Sequence, residues 1–121
     1  LSGTVTAYLD GIATGDPETF LPAMAPDYVM HDGHAAQIPR ADMPAFIEGF
    51  GALVAKLRGG RDETPYFTVS ERVEQAGGDG LTTVWFWWAC EGTPVAGAGL
   101  LNVSGAGVHY ERVAYFVRPD V

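Results

Sequence analysis

The sequence predicts an α+β fold: three helices toward the N-terminus packed on a curved, antiparallel or mixed β-sheet around a central pocket. Two patterns predict it. Through the first half apolar residues recur three and four apart, and after Pro65 they fall into short β-rich runs divided by glycine turns. A chain of 121 residues has room for one substantial core, so residues 1–121 read as a single domain.

Residues 4–14 place Val5, Tyr8, Leu9 and Ile12 on one helical stripe, which Gly15-Asp16-Pro17 closes. Asp16 as N-cap and Pro17 at the first helical position open a second, short helix with Phe20, Leu21 and Met24, broken by Pro26-Asp27. Residues 28–32 read as a strand that stops at Gly33, and 34–39 as an irregular polar loop. From Ala41, the spacing of Met43, Phe46, Ile47, Phe50, Leu53, Val54 and Leu57 predicts a longer helix running to Gly59-Gly60. Gly49 and Gly51 within it imply close backbone packing, since each costs about 1 kcal/mol relative to Ala. Strands follow over 66–73, 81–91, 95–103 and 108–117, with turns at 77–80, 92–94 and 104–107.

Composition narrows the function. Fifteen acidic against seven basic residues give a net charge of −8, which repels phosphate backbones and anionic lipid, so neither nucleic acid nor membrane is an expected partner. The same charge disfavours a strongly anionic substrate unless Arg40, Arg58, Arg61, Arg72, Arg112 or Arg118 faces the cleft, so a neutral small molecule, mostly apolar to suit the pocket, is the expected ligand. Cys90, the one cysteine, follows Trp87-Trp88-Ala89 and reads as a packed strand residue rather than a thiolate nucleophile. No run approaches the roughly 18 apolar residues of a membrane span, and no secretory leader is recognisable, so the expected location is the cytoplasm.

The run Val84-Trp85-Phe86-Trp87-Trp88 is apolar on both faces of its strand, whereas a half-exposed strand alternates with polar residues. Val84, Phe86 and Trp88 share one face and Trp85 and Trp87 the other. In so small a domain helices cover one face only, which predicts a homodimer through the face carrying Trp85 and Trp87. On the last strand Tyr110, Arg112, Ala114 and Phe116 share a face by the same alternation. If that face lines the pocket, Arg112 needs a partner such as Glu71 or Asp10; the alternative is a surface Arg112 paired with Glu111.

Asp32 ends an apolar strand before Gly33 and between His31 and His34. At a pocket mouth its carboxylate could serve as a general base; the plainer alternative is a cap on the Asp32-Gly33 turn. Tyr8 is either a substrate-facing hydroxyl or a core aromatic with a local partner. His34 is a candidate second acid or base at the rim. His31, His34 and Asp32 lie too close in sequence for an easy tetrahedral site and lack a fourth ligand, so neither metal nor cofactor is expected. The expected lining is Tyr28, Met30, Phe50, Phe86, Trp88 and Phe116.

The order of elements carries a further signal. The stretch Tyr8-Leu9-Asp10-Gly11-Ile12-Ala13-Thr14-Gly15-Asp16, the reading Pro26-Asp27-x-x-x-x-Asp32, and the closing Tyr110-Glu111-Arg112-Val113-Ala114-Tyr115-Phe116 resemble the ketosteroid-isomerase and SnoaL-like superfamily over nearly the whole chain. The resemblance implies the cone-shaped fold also seen in nuclear transport factor two. It also implies Asp32 in the place of the isomerases' base and Tyr8 in that of their oxyanion-stabilising Tyr, with Gly99 where their protonated Asp would stand. Without that acid, ring closure of the SnoaL type gains over steroid isomerisation. Epoxide hydrolysis or cyclisation is a further alternative, weakened because Leu100-Leu101-Asn102-Val103 lacks the Arg-x-Asp element of limonene-epoxide-hydrolase-like proteins. The reading from a different class is a non-catalytic module that binds an apolar ligand or dimerises.

Overall fold

A computed structural model describes residues 1–33 and 35–117. The chain runs α1 (Ser2–Thr14), α2 (Pro17–Ala23), β1 (Met24–Asp32), β2 (Ala36–Pro39), a 3-10 turn (Arg40–Asp42), α3 (Met43–Leu57), β3 (Thr68–Ala76), β4 (Thr82–Ala89), β5 (Ala96–Ser104) and β6 (Gly107–Val117). The strands form one six-stranded sheet in the order β2-β1-β6-β5-β4-β3. It is mixed, because β1 pairs parallel to β6 while every other pair is antiparallel.

The helices do not all precede the sheet, since β1 and β2 come between α2 and α3. The helix α1 ends as expected on Gly15, whose φ of 67° places it in the left-handed region that suits glycine at a helix C-terminus. Asp16 caps α2 by accepting from the Glu18 amide at 3.1 Å. That helix stops at Ala23, earlier than Pro26-Asp27, because Pro26 drives the residue before it out of the α region. The segment expected as loop over 34–39 instead holds β2, which turns back on β1 with Met30 opposite Ile38 and Asp32 opposite Ala36. Four residues with one buried apolar side chain, Ile38, are too few to show a strand period.

Helices and the inner sheet face enclose one core. Val5, Tyr8, Leu9 and Ile12 of α1, Phe20 of α2, and Met43, Ile47 and Val54 of α3 pack on Val84, Phe86, Leu101, Val103 and Val108. Tyr66, expected to begin a strand, precedes β3, and its ring wedges between Gly15 and Gly51. A β-carbon on Gly51 would stand 2.5 Å from that ring, whereas one on the exposed Gly49 meets nothing within 4 Å. Close packing therefore explains Gly51 and not Gly49.

The last strand departs most from strict alternation. Tyr110 pairs with Asn102 but Val108 with Val103, so two steps along β6 match one along β5 and His109 is the extra residue of a bulge. The bulge reverses the strand's facing. Val108, Glu111, Val113 and Tyr115 turn toward the helices, while Arg112 and Phe116 are exposed on the outer face. The bulge is anchored: His109 Nδ1 lies 2.8 Å from Asp27 Oδ1, and Nε2 lies 2.6 Å from Ser104 Oγ, which also accepts the Ala106 amide at 3.1 Å.

The two helix glycines are expected to respond oppositely. Gly49→Ala should stabilise the fold by about 0.5–1 kcal/mol through helix propensity alone. Gly51→Ala should destabilise it by about 1–3 kcal/mol because the Tyr66 ring must move. Urea denaturation of the two variants checks both signs.

Candidate active site

Between α3 and the inner sheet face lies a cavity with about 390 Å³ of empty space, its open mouth included. Its walls are mostly apolar: Phe46, Ile47 and Phe50 from α3, Phe67 from the segment before β3, Phe86 and Trp88 from β4. Trp88 meets Phe67 edge-on at 6.2 Å between ring centroids and Tyr115 at 5.4 Å.

Glycines on β5 make this packing feasible. Gly99 pairs with Phe86 and Gly97 with Trp88; a β-carbon on Gly99 would clash with the Phe86 ring, and one on Gly97 with the Ala114 carbonyl oxygen and the Trp88 ring. The place where the resembled isomerases carry an acid is filled by the Phe86 ring lying on Gly99.

The wall bearing Phe67 is held by Arg58, whose side chain sequence reasoning missed. Its guanidinium is buried and donates to backbone carbonyls of Glu91 at 2.8 Å, Glu63 at 2.9 Å and Pro65 at 3.1 Å. Carbonyl acceptors satisfy the buried cation without a carboxylate.

Two carboxyl groups share the remaining wall. Parallel pairing sets Met30 beside Glu111 and Asp32 beside Val113, so Asp32 and Glu111 reach the cavity from adjacent strands. Asp32 is 5% exposed, and two hydrogen bonds that it accepts from described residues go to different oxygens. The Tyr115 hydroxyl donates to Oδ2 at 2.7 Å, and the Ala35 amide donates to Oδ1 at 2.9 Å. Asp32 thus caps the turn after β1 and faces the cavity at once; the two readings of it are compatible.

Glu111 is 6% exposed and accepts the Tyr8 hydroxyl at 2.5 Å. Its carboxyl is pushed up to about 7 in all: burial raises it most, Tyr8's hydrogen bond draws it down, and the Asp32 charge adds to the rise. Tyr8 in turn touches the Tyr28 hydroxyl. Burial, then the Glu111 charge, raise both phenols well above the usual tyrosine range, so each keeps its proton and Tyr8 remains a donor. Burial and the Asp32 carboxylate raise Tyr115 likewise.

Of the expected site residues, Asp32, Met30, Phe50, Phe86 and Trp88 line the cavity together. Tyr8 and Tyr28 are buried behind Glu111 rather than on the wall, because the Tyr8 hydroxyl is turned to that carboxylate. Phe116 is 61% exposed and meets Trp87 outside with the rings tilted, at a second register shift where Gly97 pairs with Tyr115 and Ala96 with Val117. Arg112 sits outside too, over the Tyr110 ring. His34 lies outside the described residues. His31 meets Tyr110 edge-on, away from Asp32 as alternation expects. Cys90 is buried and its thiol is pushed up to about 11, which suits a packing role. Glu111 and Tyr115 were missed because strict alternation turns them outward. Val108, Val113 and Tyr115, odd and even positions that are all apolar enough to bury, were the available hint of a bulge.

Three helices with a mixed six-stranded sheet make an α+β fold that other solved proteins share. The structure is similar to an NTF2-like protein of unknown function from Cytophaga hutchinsonii, with a TM-score of 0.64 at 10% identity over 98% of this chain and 91% of that one. It is also similar to a candidate polyketide cyclase from Xanthomonas campestris, with a TM-score of 0.60 at 17% identity over 97% and 89% of the two chains. The Orange Carotenoid Protein of Anabaena, solved binding canthaxanthin, matches at a TM-score of 0.66 and 12% identity over 93% of this chain and 35% of that one. At these identities the likeness concerns the fold. The family follows from sequence: the SnoaL-like domain model matches residues 5–120, and the chain belongs to that family. Among curated proteins no relative is found. No described helix is long and apolar enough to cross a membrane.

Glu111 leaves a thermodynamic signature. Its folded value near 7 exceeds that of an unfolded Glu, so the folded state holds the proton more tightly; this stability is complete below about pH 4.3 and is lost as pH rises through 7. The loss should be on the order of 3 kcal/mol. Glu111→Gln should flatten the stability profile across that window, as urea titrations at a series of pH values will show.

Proposed function

We propose that this cavity performs general acid–base chemistry on a small, neutral, mostly apolar oxygenated molecule. The observation that carries the reading is the pair of carboxyl groups, Asp32 and Glu111, set on one wall of an otherwise apolar cavity in different environments. Two carboxyls held apart in this way can divide the roles of base and acid.

Asp32, oriented by Tyr115 and Ala35, accepts a proton from a carbon beside a substrate carbonyl. Charge then gathers on the carbonyl oxygen. Glu111, whose burial favours the protonated form, donates a hydrogen bond to that oxygen, while Tyr8 holds its other oxygen in place. Glu111 thereby takes the part that the resembled isomerases give to an acid at the position of Gly99. The enolate either recovers the proton from Asp32 at a different carbon, which is isomerisation, or attacks a second carbonyl of the same molecule, whose oxygen takes up the proton held by Asp32 as the ring closes in the manner of SnoaL-like cyclases. Met30, Phe50, Phe86 and Trp88 orient the apolar body of the substrate and exclude water.

A second reading keeps the cavity and removes the reaction. The aromatic lining suits a protein that only holds an apolar ligand, and the carotenoid-binding neighbour shares the fold.

One measurement separates the two. Exchange of α-protons for deuterium in small cyclic ketones, followed by NMR in heavy water, needs no knowledge of the natural substrate. The protein should accelerate exchange over buffer, and Asp32→Asn should lower the rate about a hundredfold or more while ketone affinity is kept. Ketones that bind without accelerated exchange, or an Asp32→Asn variant as fast as the parent, would overturn the catalytic reading in favour of the binding one.

A further inference from the structure

Three side chains beside the β5–β6 turn stand in an order that the cavity chemistry does not use. Ser104 Oγ lies 2.6 Å from His109 Nε2, and His109 Nδ1 lies 2.8 Å from Asp27 Oδ1. A carboxylate can only accept, so the ring proton sits on Nδ1, and Nε2 keeps the lone pair that accepts from the Ser104 hydroxyl. A serine on the Nε2 side of an imidazole and a carboxylate on its Nδ1 side make a hydroxyl nucleophilic on unrelated folds, in any chain order.

Irregular pairing brings the three together. Ser104 ends β5 opposite Gly107, and the bulge leaves His109 as the extra residue of β6. On the other side of β6 the ladder to β1 breaks at the same point. Val29 stands beside Tyr110 but Met24 beside Val108, so five steps of β1 face two of β6. Asp27 and His109 both fall inside that gap, where regular alternation does not hold. None of the three lines the cavity, and Asp32 lies five residues further along β1. The group is therefore separate from the two-carboxyl wall.

It is also open to approach. The side chain of His109 is 24% exposed and that of Asp27 72%. Gly105 and Ala106 are exposed in the turn, and a β-carbon on Gly105 would meet nothing within 4 Å. The Ala106 amide donates to Ser104 Oγ at 3.1 Å, which puts it within reach of an oxygen on a carbon that Oγ attacks. Among the described residues it is the one amide that donates there. Loss of one oxyanion donor costs roughly a hundredfold to a thousandfold in established enzymes, so a site with a single donor needs a substrate with a good leaving group.

We infer that Ser104, His109 and Asp27 form an acyl-transfer site that hydrolyses small, uncharged, activated esters. Ser104 Oγ bonds to the ester carbonyl carbon as its proton passes to His109 Nε2. The bond from that carbon to the leaving oxygen breaks, and the leaving oxygen takes the proton from Nε2. Water then gives a proton to Nε2 and bonds to the acyl carbon; Ser104 Oγ leaves with that proton, and the carboxylic acid is released. Asp27 is a positioning residue, holding the ring in the productive tautomer. The net charge of −8 keeps anionic esters away.

Labelling of the whole chain with phenylmethylsulfonyl fluoride, read by peptide mass spectrometry, tests the nucleophile without any variant. Ser104 should be modified about tenfold or more faster than Ser2 and Ser70, the other serines. Hydrolysis of 4-nitrophenyl acetate should fall about tenfold or more in Ser104→Ala, although that change frees the imidazole of His109. Asp27→Asn should lower kcat about threefold to tenfold with KM kept, less than the loss of Ser104 because water screens so exposed a carboxylate, and Asp27→Glu should restore part of it. Variants are read at a temperature where their circular dichroism matches the parent's. Labelling no faster at Ser104 than at the other serines, a Ser104→Ala variant as fast as the parent, or an unchanged kcat in Asp27→Asn would each overturn the inference and leave the three side chains as an anchor for the bulge.

Discussion

The bulge at His109 decides what this protein presents to its cavity and what it presents to its surroundings. Side chains on a strand alternate, so one extra residue exchanges every later position between the faces. Before the bulge β6 buries Val108; after it, the same strand buries Glu111, Val113 and Tyr115. Without the extra residue Arg112, beside His31 of β1 and Leu100 of β5, would turn inward near Asp32, and a guanidinium would take the place of Glu111 on the wall. With it, the cavity receives an acid and a phenol, and the outer face receives an arginine and a phenylalanine. The ring of His109, bridging Asp27 of β1 and Ser104 of β5, ties the bulge to both neighbouring strands.

The parallel pairing of β1 with β6 converts that facing into chemistry. Because the two strands run together, Met30 falls beside Glu111 and Asp32 beside Val113, which brings both carboxyls to one wall with an apolar residue interposed on each strand. An antiparallel partner from a neighbouring hairpin could not draw on residues so far apart in sequence. Burial of Glu111 is costly, and the structure meets the cost partly with the Tyr8 hydroxyl and partly by letting the group keep its proton near neutrality. The result is a carboxyl whose protonation changes in the range where cells work, which a general acid requires and a merely structural glutamate does not.

Much of this fold follows from short-range pattern. The stripe of α1, the Asp16 cap, the spacing through α3 and the four glycine-divided strands are all local, and the structure repeats them within a few residues. The family followed too: the resemblance was read from the α1–α2 connection, the segment around Asp27 and Asp32 and the closing residues 110–116, and the family model matches residues 5–120. Facing on β6 did not follow, since a bulge depends on pairing with β5, and residues 107–117 hint at it only through the mixed parity of Val108, Val113 and Tyr115. The strand β2 was hidden for a similar reason: it exists because Asp32-Gly33 turns the chain back on β1, and its own four residues carry almost no pattern. Half the cavity wall was therefore readable from the sequence, that from β1, α3 and β4, and the other half was not.

The correction on β6 also changes what Tyr8 does. In the comparison with ketosteroid isomerases its hydroxyl is placed to meet a substrate oxygen, and Gly99 is an absent second donor. In the structure Phe86 covers Gly99, and Tyr8 donates to Glu111, which stands between it and the cavity. The phenol has moved one step back, and a carboxyl has taken the front. A phenol donor offers a proton that it does not release in the neutral range, whereas Glu111 titrates near 7 and can be either donor or acceptor. A site built on such a group suits a reaction in which a proton is both taken and returned, and this is common to isomerisation and ring closure through an enolate.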